Sequence, residues 1–119
     1  MKFLMTIYGN DEIWSSLSKE EFDTLIAEDA VFQKEARESG ELISAEGLQD
    51  AVNARTVRVR DGVPVVSDGP YLESKEYMAS FYLLDCENLD RALELAARYP
   101  TARDRGVEVW PLMEPNGEE

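Results

Sequence analysis

Histidine is absent from this chain of 119 residues. Its absence removes the commonest general base, the commonest zinc ligand and every Ser-His or Cys-His nucleophile arrangement. Cysteine is nearly absent too. Cys86 stands alone, so no disulfide can form within the chain, and a lone thiol suits a reducing cytoplasm. No apolar run approaches the roughly 20 residues that a membrane-spanning helix needs. The apolar opening, residues 1–8, is too short for a secretory leader and reads as a strand. Basic side chains are scarce, 12 against 25 acidic ones, which leaves a net charge of −13. A field of that sign repels polyanions, so nucleic acid and anionic membrane surfaces are not expected as partners. The plainest role of the charge is solubility.

What remains is an ordinary globular composition, 44% apolar and 31% charged. A chain of this length buries roughly two-thirds of its unfolded surface and folds without staples. Residues 1–113 read as one domain and residues 114–119 as an acidic tail. Helix signals are clearest over 18–39, where Ser18 and Glu21 form a capping box, Leu17 and Phe22 a hydrophobic staple, and Gly40 a stop. Phe22, Leu25, Ile26, Phe32 and Ala36 project onto one stripe, with Asp29 and Gln33 inside it. A second helix over 89–99 turns Leu89, Ala92, Leu93 and Ala96 inward, capped by Asn88 and ended by Pro100. Strands are expected over 3–8, 42–46, 78–85 and 107–113, with a hairpin over 55–66 around Asp61-Gly62. Pro64 places its strand at an edge.

This order predicts an α+β fold, a ferredoxin-like βαββαβ sandwich with an additional β-hairpin. Helices then cover one sheet face only. Phe3, Met5, Phe81, Val107, Val109, Trp110 and Leu112 are too many large apolar side chains for that one face. A face-to-face homodimer covers the rest.

The most distinctive segment is Asp68-Gly69-Pro70-Tyr71-Leu72-Glu73-Ser74-Lys75-Glu76. Its turn, followed by clustered charges, resembles the motif of the DGPF branch of the YCII-related domain family, in which Phe usually stands where Tyr71 does. The resemblance extends to Tyr8-Gly9, Gly47-Leu48-Gln49, the segment 56–62 and Val107-Glu108-Val109 before Pro111. It implies a subunit paired as a dimeric α/β barrel, a fold shared with muconolactone isomerases and small monooxygenases. The residues themselves are read as a small-molecule enzyme with a carboxylate-lined pocket near Asp68, a cofactor-independent isomerase, lyase or oxygenase. The alternative is a non-catalytic ligand-binding or regulatory module, linked to transcription sigma factors. Some relatives are thought to use a His-Asp pair, and this chain has no histidine with which to form one.

Three carboxylates are the catalytic candidates. Asp68 sits at the turn, where a partly desolvated carboxylate serves as a general base or merely as a turn-former. Asp29 lies on the sheet-facing stripe, costly unless it is paired or opens onto a cavity, and Arg55 and Tyr8 are its candidate partners. Glu73 belongs to the charge cluster with Lys75 and Glu76, an acid-base group or a solvated strand entrance. Tyr8, Lys75, Tyr71 and Arg55 are the substrate-binding candidates. Gly69 and Pro70 are expected to turn Asp68 and Tyr71 toward one cavity. The carboxylates lack the regular loop spacing of a calcium site, so neither a metal nor a cofactor is expected.

Overall fold

Alternation along the first strand decides which way the sheet faces. Phe3, Met5 and Ile7 are buried on one side, as the two-residue period of a strand requires. Against them pack Phe32 and Ala36 of one helix and Ala92, Leu95 and Ala96 of another, with Leu42, Tyr82, Leu84, Cys86 and Tyr99 completing the core. Fully burying side chains such as Phe3, Met5 or Leu84 stabilises the fold by about 1.5–3 kcal/mol each.

These elements belong to a computed structural model that describes residues 1–72 and 74–114. In chain order they are β1 (Lys2–Gly9), α1 (Asp11–Ser15), α2 (Lys19–Glu38), β2 (Leu42–Gly47), β3 (Arg55–Arg60), β4 (Val63–Asp68), β5 (Tyr77–Asp85), α3 (Leu89–Ala97) and β6 (Glu108–Pro111). Short 3₁₀ turns occupy Ala51–Asn53 and Pro100–Arg103. The main sheet runs β2-β5-β1-β6 and is antiparallel throughout. That is the ferredoxin-like α+β order, with β1 and β5 in the middle. The expected tail falls largely on residues 115–119, outside the described residues.

Capping follows the sequence closely. Ser18 Oγ accepts from the Glu21 amide at 3.0 Å and Glu21 Oε1 accepts from the Ser18 amide at 2.9 Å, the two halves of a capping box. Asn88 Oδ1 accepts from the Arg91 amide at 2.9 Å. Arg91 then grips Glu41, at the entrance to β2, through two hydrogen bonds of 2.9 Å. That fork ties α3 to the turn after α2. Glu41 is held below the usual carboxylate range, first by the Arg91 hydrogen bonds.

The helix stripes differ from their expected form. Phe22 and Ile26 are exposed, and α2 buries only Phe32 and Ala36. A helix of this length spans about 30 Å, and periodicity names its apolar face without saying how far the partner surface extends. In α3, Leu89 and Leu93 are exposed while Leu95 is buried with Ala92 and Ala96. Ala92 and Ala96 belong to two overlapping stripes, and the fold uses the one that continues to Tyr99. The open sheet face also has a different membership. Phe3, Met5 and Val109 pack toward the helices. Register instead sets Leu4 between Leu83 and Trp110, and Thr6 between Phe81 and Glu108. Trp110 remains 55% exposed.

The hairpin stands apart as its own two-stranded sheet. Asp61 and Gly62 have φ of 51° and 76°, the paired positive values of a type I′ turn. Pro64 lies opposite Val59 in this ribbon, where both strands are edges. The first turn after β1, α1, was absent from the expected elements. Asn10 starts it by accepting from the Ile13 amide at 2.8 Å. It lays the Trp14 indole on Gly9, so closely that a Cβ at Gly9 would overlap the ring. Gly9→Ala is therefore expected to destabilise the protein by about 1–3 kcal/mol, the usual cost of overpacking. Urea unfolding against wild type measures it, and an unchanged midpoint would show that the indole is free to move aside.

Candidate functional site

The Asp-Gly-Pro turn is fastened at its base. The Gly69 amide donates to the Ala54 carbonyl at 2.8 Å, and Thr56 Oγ1 donates to the Gly69 carbonyl at 2.9 Å. Asp68 ends β4 with its side chain 89% exposed, 3.2 Å from Arg55 Nε. Arg55 also donates through Nη1 to the Val52 and Ala54 carbonyls at 3.1 and 2.8 Å. Asp68 and Arg55 thus meet, in solvent, as a clasp at the root of the hairpin. Gly69 and Pro70 face a cleft of about 490 Å³, while Asp68 is absent from its lining.

The carboxylates that do line this cleft are Asp11, Glu12 and Asp50. Asp11 opens α1, and Asp50 caps the turn at Ala51–Asn53 by accepting from the Val52 amide at 3.0 Å. Asp11 is pushed above the usual carboxylate range, chiefly by its hydrogen bond with Asp50. Asp50 is held below that range by the same bond and then by the Val52 amide. The two acids thus influence one another's hold on a proton, raising that of Asp11 and lowering that of Asp50. Trp14, Leu48, Pro70 and Met78 supply the apolar walls. Asn10 steadies the rim by donating from Nδ2 to the Lys75 carbonyl at 2.5 Å.

Asp29 sits elsewhere. Its Oδ1 accepts from the hydroxyls of Tyr82 and of Tyr99, the latter at 2.9 Å, and its Oδ2 accepts from Gln33 Nε2 at 2.8 Å. The two hydroxyls lie 2.8 Å apart. Phe32 packs edge-on against both rings, with centroids 5.7 and 5.2 Å away. The expected partners Arg55 and Tyr8 are not those that pair with it. Burial, followed by the hydrogen bond from Tyr82 to Asp29, raises the Tyr82 phenol well above its ordinary value. Burial and the bond with Tyr82 do the same to Tyr99.

The remaining candidates disperse. Tyr8 lines a hollow with Ser74, Glu76, Arg105 and Glu108, distinct from the cleft. Arg105 pairs there with Glu76 and reaches the Tyr8 carbonyl at 3.3 Å. Tyr71 is exposed under the Arg58 guanidinium, 5.4 Å from its ring centroid. The cavity-facing orientation expected of Asp68 and Tyr71 is thus not what the turn produces. Lys75 contributes its carbonyl to Asn10. Glu73 lies outside the described residues. Cys86 is buried, and burial followed by the Glu41 charge pushes its thiol up, consistent with a structural thiol.

Fold and cleft together define an α+β ferredoxin-like protein with a small-molecule-sized hollow at one end of β1 and β5. The family model of the YCII-related domain matches residues 1–116. An uncharacterized protein of Rhizobium meliloti (strain 1021) is 34% identical over 114 residues, covering 94% of this chain and 92% of that protein. The chain belongs to the YCII-related domain family. Among the described residues, no helix is long and apolar enough to cross a membrane.

Asp11, Asp50, Trp14, Tyr82 and Tyr99 were not among the expected site or network residues. Gly47-Leu48-Gln49 ends one residue short of Asp50, and Asn10 is a helix-capping residue type standing directly before Asp11. Those were the available signals.

The tyrosine network makes a pH prediction. Tyr82 and Tyr99 hold their protons more tightly folded than unfolded, so their contribution is complete below about pH 10 and drains as pH rises above it. Wild type should lose stability above that value. Replacing both by Phe should lower stability at neutral pH by about 1–3 kcal/mol through the bonds lost to Asp29 and flatten the alkaline decline. Urea unfolding at pH 8 and at alkaline pH separates the two effects, and equal alkaline slopes would refute the network's role.

Proposed function

We infer that the protein is a small-molecule enzyme whose acid-base pair is Asp11 and Asp50 in the cleft walled by Gly69 and Pro70. The single observation that carries this reading is the placement of both carboxylates in the lining of a hollow large enough for a metabolite. Asp50 serves as base and Asp11, whose hold on a proton the pair strengthens, as acid. Proton abstraction and return of this kind underlies isomerisation and elimination and needs no cofactor. The acidic lining and the net charge of −13 favour neutral or cationic substrates over anionic ones. The role first expected of Asp68 passes to Asp50, with the Asp-Gly-Pro turn as wall.

A second reading has its own support. Asp11, Glu12 and Asp50 are all exposed to water, a setting that suits capture of a polar ligand as well as its conversion. On that reading the protein is a ligand-binding or regulatory module, and a link to transcription sigma factors falls under it. The reading also includes a homodimer, supported by Leu4, Phe81, Leu83 and Trp110 on the sheet face opposite the helices. The buried free thiol of Cys86 supports a cytoplasmic location.

Incubating the protein with panels of neutral, cationic and anionic small molecules and following each by NMR tests catalysis and charge preference together. Turnover of a neutral or cationic compound should fall by about 10²–10⁴-fold in Asp50→Asn. In wild type it should decline as pH rises through the elevated Asp11 value and again as acid protonates Asp50. Binding with every compound recovered unchanged would favour the module. Full turnover in both Asp11→Asn and Asp50→Asn would end the acid-base assignment. For the assembly, sedimentation should show a dimer at micromolar concentration that Trp110→Asp dissociates.

A further inference from the structure

The hairpin formed by β3 and β4 presents two unlike faces. Register places Val57 opposite Val66 and Val59 opposite Pro64 on one face, with Arg55 and Asp68 at its root. Val57, Val59 and Val66 are 61%, 67% and 61% exposed. The other face carries Arg58 and Arg60 opposite Val65 and Val63. That face is braced by Tyr71, whose ring lies under Arg58. An isolated two-stranded ribbon is marginal in water, and contiguous valines on an open ribbon invite a partner.

Charge indicates which partner. Residues 55–68 hold three arginines and two aspartates, while the rest of the chain holds nine basic and 23 acidic side chains. The hairpin is thus a slightly positive projection on a strongly negative body. The surface best matched to it is the acidic body of another molecule of the same kind, beside the strip around Leu4, Leu83 and Trp110 that the sheet-face dimer covers. Six residues per strand at about 3.3 Å each give the ribbon a reach of roughly 20 Å.

We propose that the β3–β4 hairpin is an arm whose Val57, Val59, Pro64 and Val66 face lies on the acidic body of a second copy of this chain. The proposal rests on the homodimer reading above. It adds that the arm, rooted at the Arg55–Asp68 clasp, joins the partner's surface to the Gly69–Pro70 wall of the cleft. The arginines on its other face supply a long-range attraction that salt weakens.

Hydrogen exchange of the hairpin amides and sedimentation equilibrium test this on the full chain, with Val57→Asp/Val66→Asp and Arg60→Glu as variants. In the wild-type dimer the hairpin amides should be protected, and dilution to monomer should release them. Val57→Asp/Val66→Asp should weaken dimerisation by about tenfold or more. Arg60→Glu, which leaves the apolar face intact, should weaken it several-fold at low salt and little at high salt. A wild-type dimer whose hairpin exchanges freely, with both variants dimerising normally, overturns the arm and leaves the sheet-face dimer standing. A wild-type monomer at micromolar concentration overturns both. Protection that persists in the monomer places the ribbon on its own chain and also refutes the proposal.

Discussion

A carboxylate lodged between a helix and a sheet must find donors or push the two layers apart, and Asp29 finds them. Tyr82 brings the sheet, Tyr99 the turn that follows α3, and Gln33 the next turn of α2. Three elements distant in sequence therefore converge on one side chain. Desolvation makes the arrangement costly if any donor is lost and specific while all are present. Because β5 carries Tyr82 and also begins at Tyr77, the bonds that fix the strand in the core bear on the strand end that walls the cleft.

A division of labour follows. The core network uses a carboxylate as a fixed acceptor, held in one place by phenols that keep their protons. The cleft sets its carboxylates differently, with Asp11 and Asp50 shifting one another's proton affinity in contact with water. The same functional group serves cohesion in one setting and stands exposed to solvent in the other. The Asp-Gly-Pro turn belongs to neither set directly. Its glycine and proline shape the cleft, while its aspartate closes an ion pair with Arg55 outside.

Much of the architecture was legible in the residues. Caps at Ser18 and Asn88, the turn at Asp61-Gly62 and the β-α-β-hairpin-β-α-β order act through local backbone chemistry, and local chemistry is written in neighbouring residues. Stripe membership was less legible. Leu93 and Leu95 are equally apolar, and only the position of the sheet decides between them. The site was the least legible part. Asp29 was conspicuous for a carboxylate on an apolar stripe, yet its partners lie 53 and 70 residues away. The pairing of Asp11 with Asp50 likewise depends on two loops meeting in space. Asp68 drew attention because its motif is distinctive, but a motif that bends the backbone can be distinctive for the wall it builds.

Chance has distributed the two tryptophans usefully. Trp14 lies against Gly9 in the lining of the cleft, and Trp110 lies on the sheet face opposite the helices. Each indole samples a different environment, so emission from one reflects the arrival of a solute and emission from the other reflects the covering of a surface. Replacing either ring with Phe leaves a chain that reports a single event without any attached dye.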